Sequence, residues 1–245
     1  MKMTFRSVLA EAHAYGTSGV INPALDPACY PARVNHLNMR GMIQQSIKDL
    51  YYSGLYWYSR CALPIYKWHY GRKLADRTSL HMGCGKHYLP KFVNIDGNFQ
   101  RSVDYFIDAR AGLPLPDATM QFVYSCHMLE HVLVEDALKI LGEIKRVLKP
   151  GGYARLTLPD FRFVFKILEG LDYQFPRPFQ SREGQAMNFL FCDGQHKFGY
   201  SAEILRELAQ QVGFSRIEDA GVTDPHLPPL EAIEPSGSFS MNLYR

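Results

Sequence analysis

The spacing of hydrophobic and polar positions changes near residue 78. Before it, Met39, Ile43, Ile47, Leu50, Gly54, Trp57 and Cys61 recur at the three- and four-residue steps of one helix face, predicting a helix over 39–61. Pro64 predicts its break or kink, because proline has no N–H to bond back along the helix. After residue 78, short apolar runs alternate with amphipathic ones. TSLHM, FVNI, VDYFI and FVYS read as strands. VEDALKILGEIKRVL reads as a helix with a buried stripe of Val134, Leu138, Leu141, Ile144 and Leu148 and an exposed Glu135–Lys139 pair. Lys149-Pro150-Gly151-Gly152 ends it, and YARLTLP is the next strand. SAEILRELAQQVG reads as a helix capped by Ser201 and stopped at Gly213. FSRIEDAG and SFSMNLYR are the last strands. Strands alternating with helices imply a mostly parallel sheet covered on both faces.

Residues 1 to about 37 carry Gly16, Gly19, Pro23, Pro27 and Pro31 with little periodicity, which reads as an extended or partly helical arm. The expected organisation is an N-terminal arm and helical extension over 1–75 and an α/β domain over 76–245. The stretch YYSGLYWYSRCALPIYKWHY is dense in aromatics; a core-packing helix, a lid or an interfacial patch each accounts for it.

Composition narrows the class. The chain has 245 residues, enough for a sizeable core, and its 47% hydrophobic content is that of a globular protein. The excess of 27 basic over 24 acidic residues, +3, is too small to indicate nucleic acid. Five cysteines without a C-x-x-C pair argue against a disulfide framework or a Cys-rich zinc site and suit a reducing cytoplasm. The first residues lack the apolar run of a signal peptide, and no stretch has the length and apolarity of a transmembrane span.

The segment LHMGCGKHYLPKFVNIDG joins a strand, a Gly83-Cys84-Gly85 turn and a second strand ending at Asp96. Glycines let a ligand approach the backbone closely, and a carboxylate at the strand end accepts from two ribose hydroxyls. A G-x-G alone also fits an ordinary tight turn. A third strand ends at Asp108, placed to accept from an adenine amino group or to serve as a cap.

The ordered set LHMGCG, VNID, D-x-x-x-x-LP, SCHMLEH and E-x-x-RVLKPGG followed by LPD resembles class I S-adenosylmethionine-dependent methyltransferases over roughly residues 78–220. The resemblance implies a Rossmann-like, seven-stranded, mostly parallel sheet with helices on both faces and its last strand antiparallel. It implies S-adenosylmethionine as cofactor. Gly83, Cys84 and Gly85 become the methionine-side loop, Asp96 the ribose ligand, Asp108 and Ala109 the adenine contacts, and Ser125 the neighbour of the methionine moiety. His81, Gly97 and His127 join this cofactor-binding set. Two departures stand out: His81 occupies a position where many such enzymes carry an acid, and KHYLPK is too short for a full helix between the first two strands. A nicotinamide-dependent oxidoreductase would need a fuller G-x-G-x-x-G, and Tyr88 stands at its last position.

For catalysis, His131, Asp160 and His196 follow or flank elements expected to end at the ligand crevice. His127, Glu130 and His131 also spell H-x-x-E-H, a zinc-peptidase string, but directly after a strand in a methyltransferase series it reads as a strand-to-helix turn, so no metal is expected. The expected activity is transfer of a methyl group to a small-molecule or sugar acceptor, at a hydroxyl, with residues 39–70 walling the acceptor pocket. A non-catalytic scaffold of the same fold, meeting a protein or a membrane surface through its aromatic N-terminal region, is the alternative. No nucleic-acid partner is expected.

Overall fold

The computed structural model describes residues 34–98, 102–173 and 179–245, with the side chains of 34–46 outside the description. Cys29 and all but the last few residues of the arm expected over 1 to about 37 therefore lie outside the described residues. The chain divides into a unit of residues 1–49 and a unit of residues 50–245.

Helix α1, Val34–Lys73, runs through Pro64 without interruption, contrary to the break expected there. A mid-helix proline costs roughly 3 kcal/mol, and packing on both sides of Pro64 offsets it. Ala62 and Tyr70 are buried, the His69 ring lies 3.0 Å from the Tyr105 hydroxyl, and Tyr66 sits 4.8 Å from Tyr105, ring to ring. The helical period was legible, but the face was not. Ile47, Leu50, Trp57 and Cys61 are exposed, and the inward stripe is Leu55, Ser59, Ala62, Tyr66 and Tyr70. Among the described residues no helix is long and apolar enough to cross a membrane.

Seven strands follow: β1 (Ser79–Met82), β2 (Val93–Asp96), β3 (Tyr105–Phe106), β4 (Met120–Cys126), β5 (Leu148–Pro159), β6 (Arg216–Asp219) and β7 (Ser238–Tyr244). They form one sheet in the order β3-β2-β1-β4-β5-β7-β6, with β7 antiparallel to both neighbours. As the short KHYLPK linker demands, no helix separates β1 from β2. Helix α2, Val134–Val147, buries Ala137, Ile140, Leu141, Ile144 and Val147, and Lys139 pairs with Asp136 at 2.8 Å rather than with Glu135. It passes directly into β5, so the Pro-Gly-Gly stretch lies inside a strand. Helices α3 (Phe163–Glu169) and α4 (Arg182–Phe191), which have no clear signature in the sequence, pack Val164, Ile167, Ala186 and Phe189 into a small cluster of their own. Helix α5, Ala202–Val212, begins with the Ser201 hydroxyl accepting from the Ile204 N–H and ends at Gly213 in the left-handed region.

Register sets up the site. Met82 pairs with Ile95 on one side and Ser125 on the other, and Cys126 pairs with Thr157, so β1, β2, β4 and β5 end along one edge. The order reverses between β1 and β4, and open parallel sheets bind their ligands at such a switch point.

Candidate functional site

The turn after β1 brings Gly83 and Gly85 into the left-handed region, with φ of +69° and +50°. A Cβ at Gly83 would also meet the Met128 side chain at 2.8 Å, whereas one at Gly85 would find no heavy atom within 4 Å. Gly83 is thus needed for packing, and Gly85 leaves space above the loop. The Asp96 carboxylate joins this turn to β2: one oxygen accepts from the Gly85 N–H at 2.7 Å, the other from the Asn98 N–H at 2.6 Å. Each oxygen keeps a second lone pair for a ligand hydroxyl. Cys84 and Ser125 are buried beside them.

The third strand's acid is differently placed. Asp108 accepts from the Arg110 backbone N–H and from its guanidinium Nε and Nη2, at 2.6–3.0 Å, so both oxygens are engaged. Ala109 opens the short turn that follows. Helix α1 lies over this end. The Tyr51 hydroxyl donates to the Gly97 carbonyl at 2.8 Å, Ser59 accepts the Asp108 N–H at 2.9 Å, and a Cβ on Gly97 would meet Leu55 at 3.0 Å. Burial, with the Asp96 and Asp108 charges behind it, raises the Tyr52 phenol. The helix thus faces the Asp96–Asp108 end of the crevice.

His81 stands apart from this group. Strand alternation turns it away from its neighbours Leu80 and Met82, into a cluster with Phe92 and Tyr124, where it lies 3.3 Å from the Asn94 amide oxygen. Burial pulls it down to about 4, so it is a neutral core histidine.

On the other side of the switch point, β4 ends in His127 at φ +52°, a conformation costly for a side chain. Its N–H bonds to the Thr157 carbonyl at 2.9 Å and its Nε2 lies 2.7 Å from the Ser238 hydroxyl, which together hold it there. Burial, then His196 and His131, lower it to about 4. Glu130 is 1% exposed and neither carboxylate oxygen has a hydrogen-bond partner; burial pushes it up to about 8. The structure brings His131 and His196 together, with ring centroids 5.1 Å apart. Burial lowers both, while the Asp96 carboxylate acts in the opposite direction on His131. Beside them Glu130, Phe161, Phe189, His196 and Phe198 line a small pocket. Asp160 does not join this pair: Arg162 holds it through four hydrogen bonds of 3.0–3.2 Å, one from its backbone N–H and three from its guanidinium. Glu130 went unassigned from sequence, although it lies inside the LEH string; its complete burial is a tertiary fact.

Residues 80–156 match the family model of a methyltransferase domain. Over 184 residues the chain is 27% identical to a Mycolicibacterium smegmatis protein named "Probable S-adenosylmethionine-dependent methyltransferase", a match covering 68% of this chain and 62% of that relative's length. Among solved structures, an Archaeoglobus fulgidus SAM-dependent methyltransferase matches at 14% identity and TM-score 0.46, covering 75% of this chain and 94% of the other. One from Mesorhizobium loti matches at 16% and 0.42, covering 74% and 98%. Topology, family model and relative support a class I S-adenosylmethionine-dependent methyltransferase, with S-adenosylmethionine as the cofactor. The residues present suit it at the methionine and ribose end, through the open Gly85 turn and the free lone pairs of Asp96. At the adenine end Arg110 already occupies Asp108.

Proposed function

We propose that this chain methylates a hydroxyl of a small-molecule or sugar acceptor. Gly83, Cys84, Gly85, Asp96, Gly97, Ala109 and Ser125 form the cofactor cleft, with Asp108 released to it when Arg110 turns aside. The bound cofactor supplies a methyl group already activated on a sulfonium, so the chain's main tasks are alignment and exclusion of water. As the acceptor oxygen bonds to that methyl, the sulfur–carbon bond breaks and the hydroxyl proton must leave. The observation that carries this reading is the His131–His196 pair, held mainly neutral by burial, beside a pocket and within the field of Asp96. A neutral histidine accepts a proton at physiological pH. The acceptor enters beside Phe161, Phe189 and Phe198. Residues 1–75 form the N-terminal extension, and the aromatic part of α1 walls the crevice from the Asp96–Asp108 end.

The test couples binding to turnover. S-adenosylhomocysteine should raise the melting temperature of the full chain and NAD should not, since a ligand bound only by the folded state stabilises it. His131→Ala and His196→Ala should lower turnover about a hundredfold while cofactor affinity stays nearly constant. Wild-type rates in both variants would remove the histidines from the chemistry. Tight NAD binding without S-adenosylhomocysteine binding would overturn the reading altogether.

A further inference from the structure

We infer that Glu130, His131 and His196 form a binding site for one first-row divalent cation of the zinc or manganese class. Their potential ligand atoms, one from each residue, all lie within 4.8 Å of one another. Glu130 is 1% exposed and both its oxygens lack a hydrogen-bond partner. Leaving a buried carboxyl unpaired is costly, so a fold that retains one there implies a ligand for it. One of those oxygens lies 3.9 Å from Nε2 of His131.

The histidines supply an independent observation. Nδ1 of His131 lies 3.2 Å from the Gln195 carbonyl, and Nδ1 of His196 lies 2.9 Å from the Leu190 carbonyl. A carbonyl oxygen only accepts, so each Nδ1 carries the hydrogen and each Nε2 presents its lone pair. Metal-binding histidines are oriented in this way, with the second ring nitrogen donating to a backbone carbonyl. His127 is not a member: its Nε2 lies 2.7 Å from the Ser238 hydroxyl, and although its Nδ1 is 3.7 Å from Glu130, it is not among the donors that lie within 4.8 Å of one another. The cluster therefore uses only the second half of the H-x-x-E-H string and completes it with a histidine from the loop before α5.

Two imidazoles and one carboxylate suit zinc, manganese or iron and disfavour magnesium, which prefers oxygen donors. Metal–ligand bonds of about 2.0–2.2 Å require these donors to close by roughly 1 Å. Three protein donors leave coordination positions open toward the adjoining pocket. In the methyl-transfer reading, on which this role alone rests, the bound ion takes over from the histidine base, because both Nε2 lone pairs are then ligands: an acceptor hydroxyl at the ion loses its proton to water more readily.

The experiment uses full-length, untagged protein stripped with a chelator and titrated with zinc sulfate, manganese chloride or magnesium chloride by calorimetry, with elemental analysis after dialysis. One equivalent of zinc or manganese should bind, and magnesium should not compete. Glu130→Gln and His196→Gln should each weaken binding at least tenfold, while His127→Ala keeps one equivalent. Thermal melts of every variant check folding, and should Glu130→Gln fail to fold, His196→Gln carries the test. Absence of saturable binding, or unchanged binding in His131→Gln/His196→Gln, would overturn the inference. If those variants lose turnover in a protein that binds no metal, the histidines act as bases and only the ion site falls. If the ion binds but no hydroxyl acceptor is methylated, the ion site stands and the functional reading falls.

Discussion

Asp96 and Glu130 both follow strands of the parallel sheet, at the same edge, yet their surroundings are opposite. Asp96 accepts two short backbone N–H bonds and locks the glycine turn to the end of β2. Glu130 is more deeply buried and its carboxylate accepts no hydrogen bond, with nitrogens of His127 and His131, both held toward the neutral form by burial, at 3.7 and 3.9 Å. The first carboxylate is part of the scaffold before any ligand arrives and offers only its spare lone pairs. The second makes no hydrogen bond to the scaffold. One end of the crevice is preorganised by the backbone; the other is an incomplete polar cluster.

Three substitutions test that contrast. The largest effect is expected at Asp96, where alanine removes both backbone bonds and, in the proposed reading, the ribose acceptor. Asp96→Ala should weaken S-adenosylhomocysteine binding about tenfold or more, since a hydrogen bond to a charged group contributes roughly 1.5–3 kcal/mol. Unchanged affinity by calorimetry would show that the turn holds without it. A smaller effect, of opposite sign in stability, is expected at Glu130. In metal-free protein Glu130→Leu should raise the melting temperature by about 2–4 °C, the shift that ~1 kcal/mol gives a chain of this size, because it removes an unpartnered buried carboxyl. A fall would mean that the carboxyl is satisfied after all.

The third effect is expected only in acid. His81 is neutral when folded, lowered to about 4 by burial, against 6.5 when unfolded. The unfolded chain therefore binds more protons between those values, and stability falls as pH drops from about 6.5 to 4. His81→Phe should flatten part of that slope in melts taken across the window. An unaltered slope would place the acid sensitivity elsewhere, with His127 the next group to examine.

The glycine turn and its bond to Asp96 were readable because they are local. Glycines in the β1 turn, an acid at the end of β2 and a short linker between them are consecutive in sequence, and one register puts them together. His81 misled because its neighbours along the chain reach the crevice edge while its own side chain faces the opposite side of the strand. Asp108 and Asp160 sit at their expected strand ends, but each is paired with an arginine two residues later, Arg110 and Arg162. An arginine two residues after a strand-end acid is visible in the sequence and marks a local ion pair. The face of α1 escaped notice because its exposed side is the more aromatic one, while its inward stripe includes a serine and two tyrosines whose hydroxyls find backbone or side-chain partners.

By itself the sequence determined the alternation of strands and amphipathic helices, the seven-stranded topology its motif order implies, the caps of α5 and the glycine turn with Asp96. These depend on period, turn chemistry and neighbouring positions, which a linear chain displays directly. Only the tertiary structure decided that α1 continues through Pro64, that its less aromatic face turns inward, and that α3 and α4 form where the pattern is weak. It alone brought His196 against His131 and sealed Glu130 beside them. Burial and the meeting of distant side chains come from packing whole layers against one another, and no local pattern encodes which polar group is left inside without a partner.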